Sequence, residues 1–405
     1  MPRPGWRKQP DDSRLTDHIS IGVLTRTFSK DLIDEVLRDT NKVEQRTRLM
    51  PARVVMYYVI AMAMFPQASY EEVMRHLTEG LSWQSGFGDS WHIPSKGGIF
   101  KARARLGATP LAQLYSRVAK PLVTIATPGA FYRNWALVAI DSTTLDVFDS
   151  PENTEHFSKP TTPIGEAAYA KARITAIAEC GSHAVLGAIP GPYSVSEQLA
   201  AREILGVLSP GMLCLADRGF FGYELFKQAL ETGCELLWRA KSNYRIEVVS
   251  ELADGSYLAN LYHHRDRRRI KPLQLRVIEY TIDESREGDD PDSFYRLFTS
   301  ILDPDLAPAS ELAALYSQRW EIESLFDELK THLNESRRVL RSQSPELVYQ
   351  EIWGMLGLHY AIRALMCEAA ETIGEDPDRL SFLGTLRAVR RTTTASPGFS
   401  PSETR

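Results

Sequence analysis

Apolar residues recur at helical spacing through the first third of the chain. Residues 23–37 are amphipathic, and residues 54–65 are apolar nearly all round, which predicts a central buried helix. Ser69 and Glu72 form a capping box ahead of the next apolar positions. We therefore predict an all-α N-terminal domain over residues 1–128.

The pattern changes near residue 129 to short apolar runs of strand length. Five such runs and two helical stretches follow in the order strand, strand, strand, helix, strand, helix, strand. The runs cover residues 135–140, 174–180, 184–189, 212–216 and 234–238, and the helical stretches cover residues 194–208 and 223–232. Alternating apolar and polar positions continue over about residues 241–308, which predicts further strands inserted before the late helices.

A helical pattern without Gly or Pro covers residues 316–330 and predicts one long helix. On a helical wheel, at ~100° per residue, Arg319, Glu323 and Lys330 fall within about 60° of Tyr316. An apolar stripe lies beside them: Leu315, Ile322, Phe326, Leu329 and Leu333. The remaining side is expected to face water: Glu321, Ser324, Glu328 and Thr331. A mixed-charge strip beside a buried face suits a site for a metal ion and a phosphate chain, although solvated charges on an amphipathic helix are the alternative.

Composition and charge limit the classes of partner. With 405 residues, of which 43% are apolar and 24% charged, the chain has the make-up of a soluble globular protein. The net charge of −5 does not favour DNA binding, although a local basic groove is sufficient for it. The four cysteines show no C-x-x-C spacing, and Cys214 and Cys234, which sit in apolar runs, are expected to be reduced core thiols. Without a secretory signal or an apolar run of membrane-spanning length, the protein is expected in the cytoplasm, away from membranes.

Two aspartates directly follow apolar runs: Asp141 comes after Ile140, and Asp217 comes after Ala216. We expect both to end buried strands, where ligand sites of α/β sheets collect, although an Asp there also commonly begins a turn. With Glu323 they supply three carboxylates from distant parts of the chain. Oxygen-only ligation favours Mg²⁺ or Mn²⁺, and such a triad fits two-metal phosphoryl transfer.

These motifs together resemble those of one known family. The spacing Tyr-x2-Arg-x3-Glu-x6-Lys of the long helix is the C-terminal signature of the bacterial DDE transposases of the insertion-sequence-4 family. The stretches Asp141-Ser-Thr and Asp217-Arg-Gly-Phe are similar to the two aspartate motifs of the same family. The helical region, including residues 24–81 and 100–106, is similar to its N-terminal domain. The resemblance thus covers most of the chain.

The resemblance implies an α+β multidomain fold with a ribonuclease H-like mixed-sheet catalytic core. The all-α domain over residues 1–128 is then expected to bind DNA. The catalytic domain is expected over residues 129–370, with a β-rich insertion at about 241–308. Residues 371–405 are expected to form a C-terminal tail that is partly disordered.

The implied activity is cut-and-paste transposition of double-stranded DNA, in which transposon ends are nicked, form hairpins that are then resolved, and are joined to target DNA. Members act as a synapsed dimer, so a homodimer is expected. The implied catalytic and metal-binding residues are Asp141, Asp217 and Glu323, with Mg²⁺ as the cofactor and Mn²⁺ as a substitute. The implied DNA contacts are Tyr316, Arg319 and Lys330, and the further candidates are Arg218 and Trp320.

Several assignments stay open at this stage. Hairpin formation requires an extruded base stacked on an aromatic side chain, and the candidates are Trp320, Trp238 and Tyr244, with a core position favoured for Trp238. Residues 265–271 form a basic run that suits either a phosphate-contact loop or a solvated turn. The same two interpretations apply to a predicted helix after Ser95 that carries Lys101, Arg103 and Arg105.

Two other functions share many of these features. A catalytically impaired, DNA-binding transposition inhibitor is the main alternative; the short, low-complexity tail after residue 386 favours it, and the complete carboxylate triad argues against it. A ribonuclease H-like nuclease acting in repair or on RNA is a weaker alternative. Cleavage confined to one terminal repeat would exclude the nuclease.

Overall fold

The computed structural model describes residues 22–46, 48–78, 93–163, 165–242, 244, 246–281, 294–333 and 339–394. The last part of the predicted tail, residues 395–405, lies outside these ranges. The chain divides into two compact units. We call residues 1–118, 349–362 and 383–405 the helical unit, and residues 119–348 and 363–382 the sheet unit.

The described residues of the first part of the helical unit form six helices: α1 (Gly22–Thr27), α2 (Lys30–Asp39), α3 (Ala52–Met64), α4 (Tyr70–Thr78), α5 (Lys96–Leu106) and α6 (Thr109–Val118). The single helix predicted over residues 23–37 is broken in two, because Ser29 caps α2 by accepting a hydrogen bond from the Leu32 amide. The predicted central helix is confirmed: Val55, Tyr58 and Val59 of α3 are fully buried.

Twelve strands are described in the sheet unit: β1 (Phe131–Tyr132), β2 (Trp135–Asp146), β3 (Thr161–Thr162), β4 (Gly165–Glu166), β5 (Lys171–Glu179), β6 (Val185–Pro192), β7 (Met212–Ala216), β8 (Glu235–Ala240), β9 (Glu247–Glu251), β10 (Tyr257–Leu261), β11 (Leu273–Thr281) and β12 (Phe294–Thr299). Its main sheet has the order β6-β5-β2-β7-β8-β12-β11-β10-β9, and β1 pairs with β2. Strands β5 and β6 form an antiparallel hairpin beside β2, whereas β7 and β8 run parallel to β2. This mixed order confirms the predicted ribonuclease H-like core.

The β-rich insertion extends the core sheet at its β8 edge. Strand β12 pairs antiparallel with β8, and β11, β10 and β9 follow outwards in an antiparallel meander. Arg276 of β11 is fully buried and bonds to Ser256, to Asp254 and to the carbonyl of Ala307. This buried arginine therefore fixes the insertion to the segment that leads into the next helix.

The remaining helices are α7 (Pro151–Phe157), α8 (Glu197–Ile204), α9 (Tyr223–Leu230), α10 (Ala309–Leu315), α11 (Glu321–Asp327), α12 (Pro345–Ile373) and α13 (Phe382–Thr394). Ser196 caps α8 by accepting a hydrogen bond from the Leu199 amide. Buried side chains of α8 and α9 share a hydrophobic core with Trp238, whose ring meets Phe226 of α9 edge-on at 5.3 Å between centroids. Within the described ranges, every helix is too short or too polar to cross a membrane.

Candidate active site

The two predicted aspartates come together through the register of adjacent parallel strands. Strands β2 and β7 pair in parallel, and their last pair is Ile140 with Ala216. The next residues along the two strands are Asp141 and Asp217. The sheet thereby brings side by side two carboxylates that are distant in the chain.

The prediction that Asp141 ends its strand is wrong. Strand β2 runs on to Asp146, because residues 141–146 still pair with β5 after β7 has ended. One edge of β2 therefore lacks its β7 partner from Asp141 onwards. The Asp141 carboxylate accepts the backbone N–H of Ser142 at 2.7 Å. Asp146 points to the other face of the sheet and pairs with Lys171 at 2.5 Å.

The predicted long helix is helical throughout but irregular. A 3₁₀ turn over Tyr316–Trp320 leads into α11, and a π-helical turn over Glu328–Leu333 follows. We call Tyr316–Leu333 the signature helix. Both irregular turns begin at a buried residue whose side chain bonds to another part of the sheet unit. Tertiary contacts thus override the regular α-helical pattern of the sequence.

Tyr316 fixes the start of the signature helix to the end of β7. Its side chain is buried, and its hydroxyl donates a hydrogen bond to the Ala216 carbonyl at 3.2 Å. Burial raises the pKa of Tyr316 far above its usual range, so the phenol stays protonated. The neighbouring Asp217 is consequently held close to the start of the helix.

Arg319 bridges two of the three candidate carboxylates. Its guanidinium lies 3.5 Å from the Asp141 carboxylate and 3.0 Å from the Glu323 carboxylate, and the residue is only 7% exposed. Although burial alone would lower it, the pKa of Arg319 is raised by Tyr316 and the surrounding carboxylates, including Asp217. All three candidate carboxylates therefore act electrostatically on one buried cation.

The carboxylates also act on one another. The pKa of Asp141 is raised to about 6, chiefly by burial; the Ser142 backbone hydrogen bond and the Arg319 charge lower it, whereas the charges of Glu323 and Asp217 raise it. The three carboxylates and the Arg319 guanidinium by themselves carry a formal charge of −2. Because the donor atoms are all carboxylate oxygens, the residues present fit a hard divalent cation.

Lys330 reaches the same strand as Asp141. Its ammonium donates to the Thr143 hydroxyl at 3.1 Å, and Thr143 lies two residues beyond Asp141 on the same face of β2. Sequence reasoning did not select Thr143. The two-residue periodicity of a strand that continues past Asp141 would have indicated it.

The side of the signature helix that was expected to face water is partly buried. Glu328 is only 8% exposed and binds the guanidinium of Arg363. Glu321 lies 3.0 Å from the imidazole of His183. The prediction is therefore wrong for Glu328, whereas Glu321 keeps 32% of its side chain exposed.

The candidate stacking residues differ in accessibility. Trp320 is 56% exposed and lies beside the Arg319 guanidinium, whereas Trp238 is fully buried, which confirms its core position. Tyr244 packs edge-on against Phe221 at 5.0 Å between centroids. Next to the site lies a group of half-buried side chains that sequence reasoning missed. The Tyr295 ring stacks on the Tyr280 ring, with 5.2 Å between centroids, and its centroid lies 6.4 Å from that of Tyr316. The Arg239 guanidinium lies over the Tyr295 ring, 4.0 Å from its centroid. Cross-strand pairing of Tyr280 with Tyr295 could have indicated it.

The basic candidates separate into buried and exposed residues. Arg103 is 1% exposed within the helical unit and donates to Gln350, so it is not available for phosphate contact. Residues 265–271 form an exposed loop between β10 and β11, where both interpretations stay open. Arg218 is half-buried in the turn directly after Asp217.

A ribonuclease H-like sheet with two adjacent strand carboxylates, faced by a helix with a third, defines the DDE class of DNA-processing enzymes. Two family models match this chain: the N-terminal domain of insertion element 4 transposases matches residues 18–116, and the transposase DDE domain matches residues 136–360. The chain belongs to the insertion-sequence-4 family of DDE transposases, enzymes that cleave DNA and transfer its strands in a divalent-metal-dependent reaction.

The chain is similar to two bacterial transposases and, more distantly, to one solved structure. The transposase InsG for insertion sequence element IS4 of Escherichia coli K12 is 28% identical over 375 residues, which cover 92% of this chain and 82% of InsG. The putative transposase InsZ of the same organism is 25% identical over 226 residues, which cover 54% of this chain and 73% of InsZ. A solved piggyBac transposase synaptic complex with hairpin DNA is 11% identical with a TM-score of 0.47, over 93% of this chain and 80% of that one.

Proposed function

We propose that this transposase catalyses cut-and-paste transposition through end nicking, hairpin formation and resolution, and strand transfer. The metal-binding and catalytic residues are Asp141, Asp217 and Glu323. The observation that carries the proposal is the junction of β2, β7 and the signature helix, where Arg319 bridges Asp141 and Glu323 beside Asp217. The three carboxylates outnumber the neighbouring cations Arg319 and Lys330, which supports Mg²⁺ as the ion held there, with Mn²⁺ as a substitute.

The chemistry supplied by divalent ions at such a triad is activation of the attacking water or 3′ hydroxyl and stabilisation of the leaving oxygen. The other roles belong to the protein. Arg319 holds Asp141 and Glu323 in place before an ion binds, because it hydrogen-bonds both. Tyr316 fixes the helix on β7. Lys330 projects beside Asp141, where its ammonium can pair with a phosphate of the scissile strand.

We further propose how DNA is arranged on the two parts of the chain. Residues 1–128 bind the transposon end, residues 129–370 carry the catalysis, and residues 371–405 form the C-terminal tail. Two protomers bring the two ends together. Arg218 contacts the DNA backbone near Asp217. The exposed Trp320 ring stacks on an extruded base during hairpin formation.

The test is strand cleavage of the element's own end DNA by the purified chain, followed on a denaturing gel with Mg²⁺ and separately with Ca²⁺. We expect nicks and a hairpin band with Mg²⁺, and a shifted protein–DNA complex without cleavage with Ca²⁺. Glu323→Gln should abolish cleavage and keep the complex. The matched control is Asp327→Asn, whose carboxylate is 57% exposed on the same helix.

Two results would contradict the proposal. If Glu323→Gln cleaves as well as the unchanged protein, the triad assignment fails. If the unchanged protein shifts the DNA with either ion and never cuts it, the protein is better described as a DNA-binding transposition inhibitor.

A further inference from the structure

A group of charged side chains, three of them buried, holds the side of the signature helix that faces away from Glu323. We call it the back cluster; its members are His183, Glu321, Glu328, Arg363 and Asp378. All five residues belong to the sheet unit. They come from the β5–β6 turn, from the first residue of α11, from the first residue of the π-helical turn, from α12 and from the 3₁₀ turn over Pro377–Arg379.

Arg363 is the centre of the back cluster. Its guanidinium binds both oxygens of Glu328, with Nε 3.0 Å from Oε2 and a second bond to Oε1. It also contacts the His183 imidazole and lies 3.6 Å from Asp378. Arg363 is 2% exposed and Glu328 is 8% exposed. A two-point arginine–carboxylate bond in such a buried place fixes orientation as well as distance.

His183 holds the other end of α11. Its Nε2 lies 3.0 Å from Glu321 and 3.5 Å from Asp378, and its Nδ1 lies on the Arg363 side. Of the described residues, His183, Glu321 and Asp378 offer ligand atoms within 4.8 Å of one another, a spacing that also suits a metal ion. Since Arg363 already places a positive charge against the imidazole and Asp378, we interpret the group as an ion cluster.

The spacing along the helix relates the back cluster to the active site. Glu321 and Glu328 are seven residues apart, and each precedes a signature residue by two positions: Glu323 and Lys330. Two residues correspond to about 200° on a helix, so the clamped glutamates lie roughly opposite the signature side chains. The His183–Glu321 and Arg363–Glu328 pairs, about two turns apart, therefore resist both rotation and sliding of the helix.

We propose that Arg363 and His183 are positioning residues, which set the rotation of the signature helix and so the placement of Glu323 and Lys330. The inference rests on the proposed function of those two signature residues. It differs from a purely structural role in one respect: loss of the back cluster should impair metal binding and cleavage in molecules that remain folded.

The test compares Arg363→Met, Arg363→Lys and Glu328→Gln in the full chain, with Arg103→Met as the control. Arg103 is equally buried, in the helical unit, where it bonds to Gln350. Each variant is measured by thermal unfolding, by Mn²⁺ affinity from electron paramagnetic resonance, by affinity for end DNA, and by single-turnover cleavage.

For folded Arg363→Met we expect about tenfold weaker Mn²⁺ binding. We expect about 100-fold slower cleavage, since small displacements of catalytic groups have effects of this size. DNA affinity should stay unchanged, and Arg363→Lys should recover part of the loss because it keeps the charge without the two-point bond. Arg103→Met should lower the melting temperature alone.

The proposal is overturned if folded Arg363→Met binds Mn²⁺ and cleaves like the control. If Arg363→Met does not fold, Glu328→Gln decides in the same way, because it keeps the side-chain shape and removes the charge. Should the unchanged protein cut no DNA, the proposed function fails, whereas the Mn²⁺ affinities still support or overturn the role of the back cluster.

Discussion

The bridging position of Arg319 makes a prediction about stability that has opposite signs without and with divalent ions. Arg319→Met keeps most of the side-chain length and removes the positive charge between Asp141 and Glu323. The pair with Glu323 contributes little, about 0.5 kcal/mol, because that carboxylate is 43% exposed. The more buried Asp141 contact, at 3.5 Å, is long for a hydrogen bond and contributes roughly 1.5 kcal/mol.

The expected loss is therefore roughly 2 kcal/mol in the free energy of unfolding, measured in the presence of a chelator. For a unit of some 250 residues this corresponds to a fall of about 4–8 °C in melting temperature. A bound divalent ion should restore part of this lost unfolding free energy. Without Arg319 the site is more negative by one charge, so the ion is attracted more strongly and stabilises the folded state more.

The assay is thermal unfolding of the unchanged protein, Arg319→Met and Arg319→Lys, each in EDTA and in saturating Ca²⁺. We expect Arg319→Met to melt lowest in EDTA and to gain most from Ca²⁺, with Arg319→Lys in between because it keeps the charge. Equal melting temperatures in EDTA would refute the bridging role. A smaller gain from Ca²⁺ in Arg319→Met would refute the electrostatic reasoning.

Three further predictions concern single side chains. Thr143→Val removes an acceptor of Lys330 and should slow single-turnover cleavage about fivefold, the equivalent of one hydrogen bond. Arg276→Met leaves buried polar partners unpaired and should cost about 3 kcal/mol of unfolding free energy in urea. Trp320→Ala should leave stability unchanged and reduce the hairpin band, whereas Trp238→Ala should destabilise the fold by about 3–5 kcal/mol.

Matched controls exist for the first two. Thr144→Val changes the neighbouring residue on the opposite face of β2 and should leave cleavage unchanged. Arg269→Met removes an arginine that is 67% exposed and should change stability by less than about 0.5 kcal/mol. An equal effect of Thr143→Val and Thr144→Val, or of Arg276→Met and Arg269→Met, would contradict the respective argument.

Much of the fold follows from local pattern. The runs that became β7 and β8 are short and apolar because parallel core strands are covered on both faces, and their order along the chain already had the ribonuclease H-like form. Trp238 could be assigned to the core because it lies within such a run. The spacing of the signature helix selected four residues, three of which contact one another or β2.

The failures arise where the deciding partner is distant in the chain. Asp141 was predicted to end a strand because the apolar run stops at Ile140. The strand nevertheless continues through hydrogen bonds to β5, which no local pattern indicates. The helix was expected to be regular because it lacks Gly and Pro, yet its 3₁₀ and π turns coincide with buried side-chain bonds made by Tyr316 and Glu328.

Glu328 shows why a helical wheel cannot distinguish an exposed charged side chain from a buried one that is held in an ion pair. The wheel assigns each residue to a side, but only the rest of the fold determines what covers that side. Glu328 is covered by Arg363, which lies 35 residues after it in the chain, and by His183, which lies 145 residues before it. The Glu328 carboxylate is tolerated in this buried position because Arg363 neutralises its charge. Its charge alone predicted a solvent-exposed side chain, whereas the structure has a buried ion pair. Polar residues on the far side of a catalytic helix are therefore candidates for positioning roles, and the Arg363 variants test this idea directly.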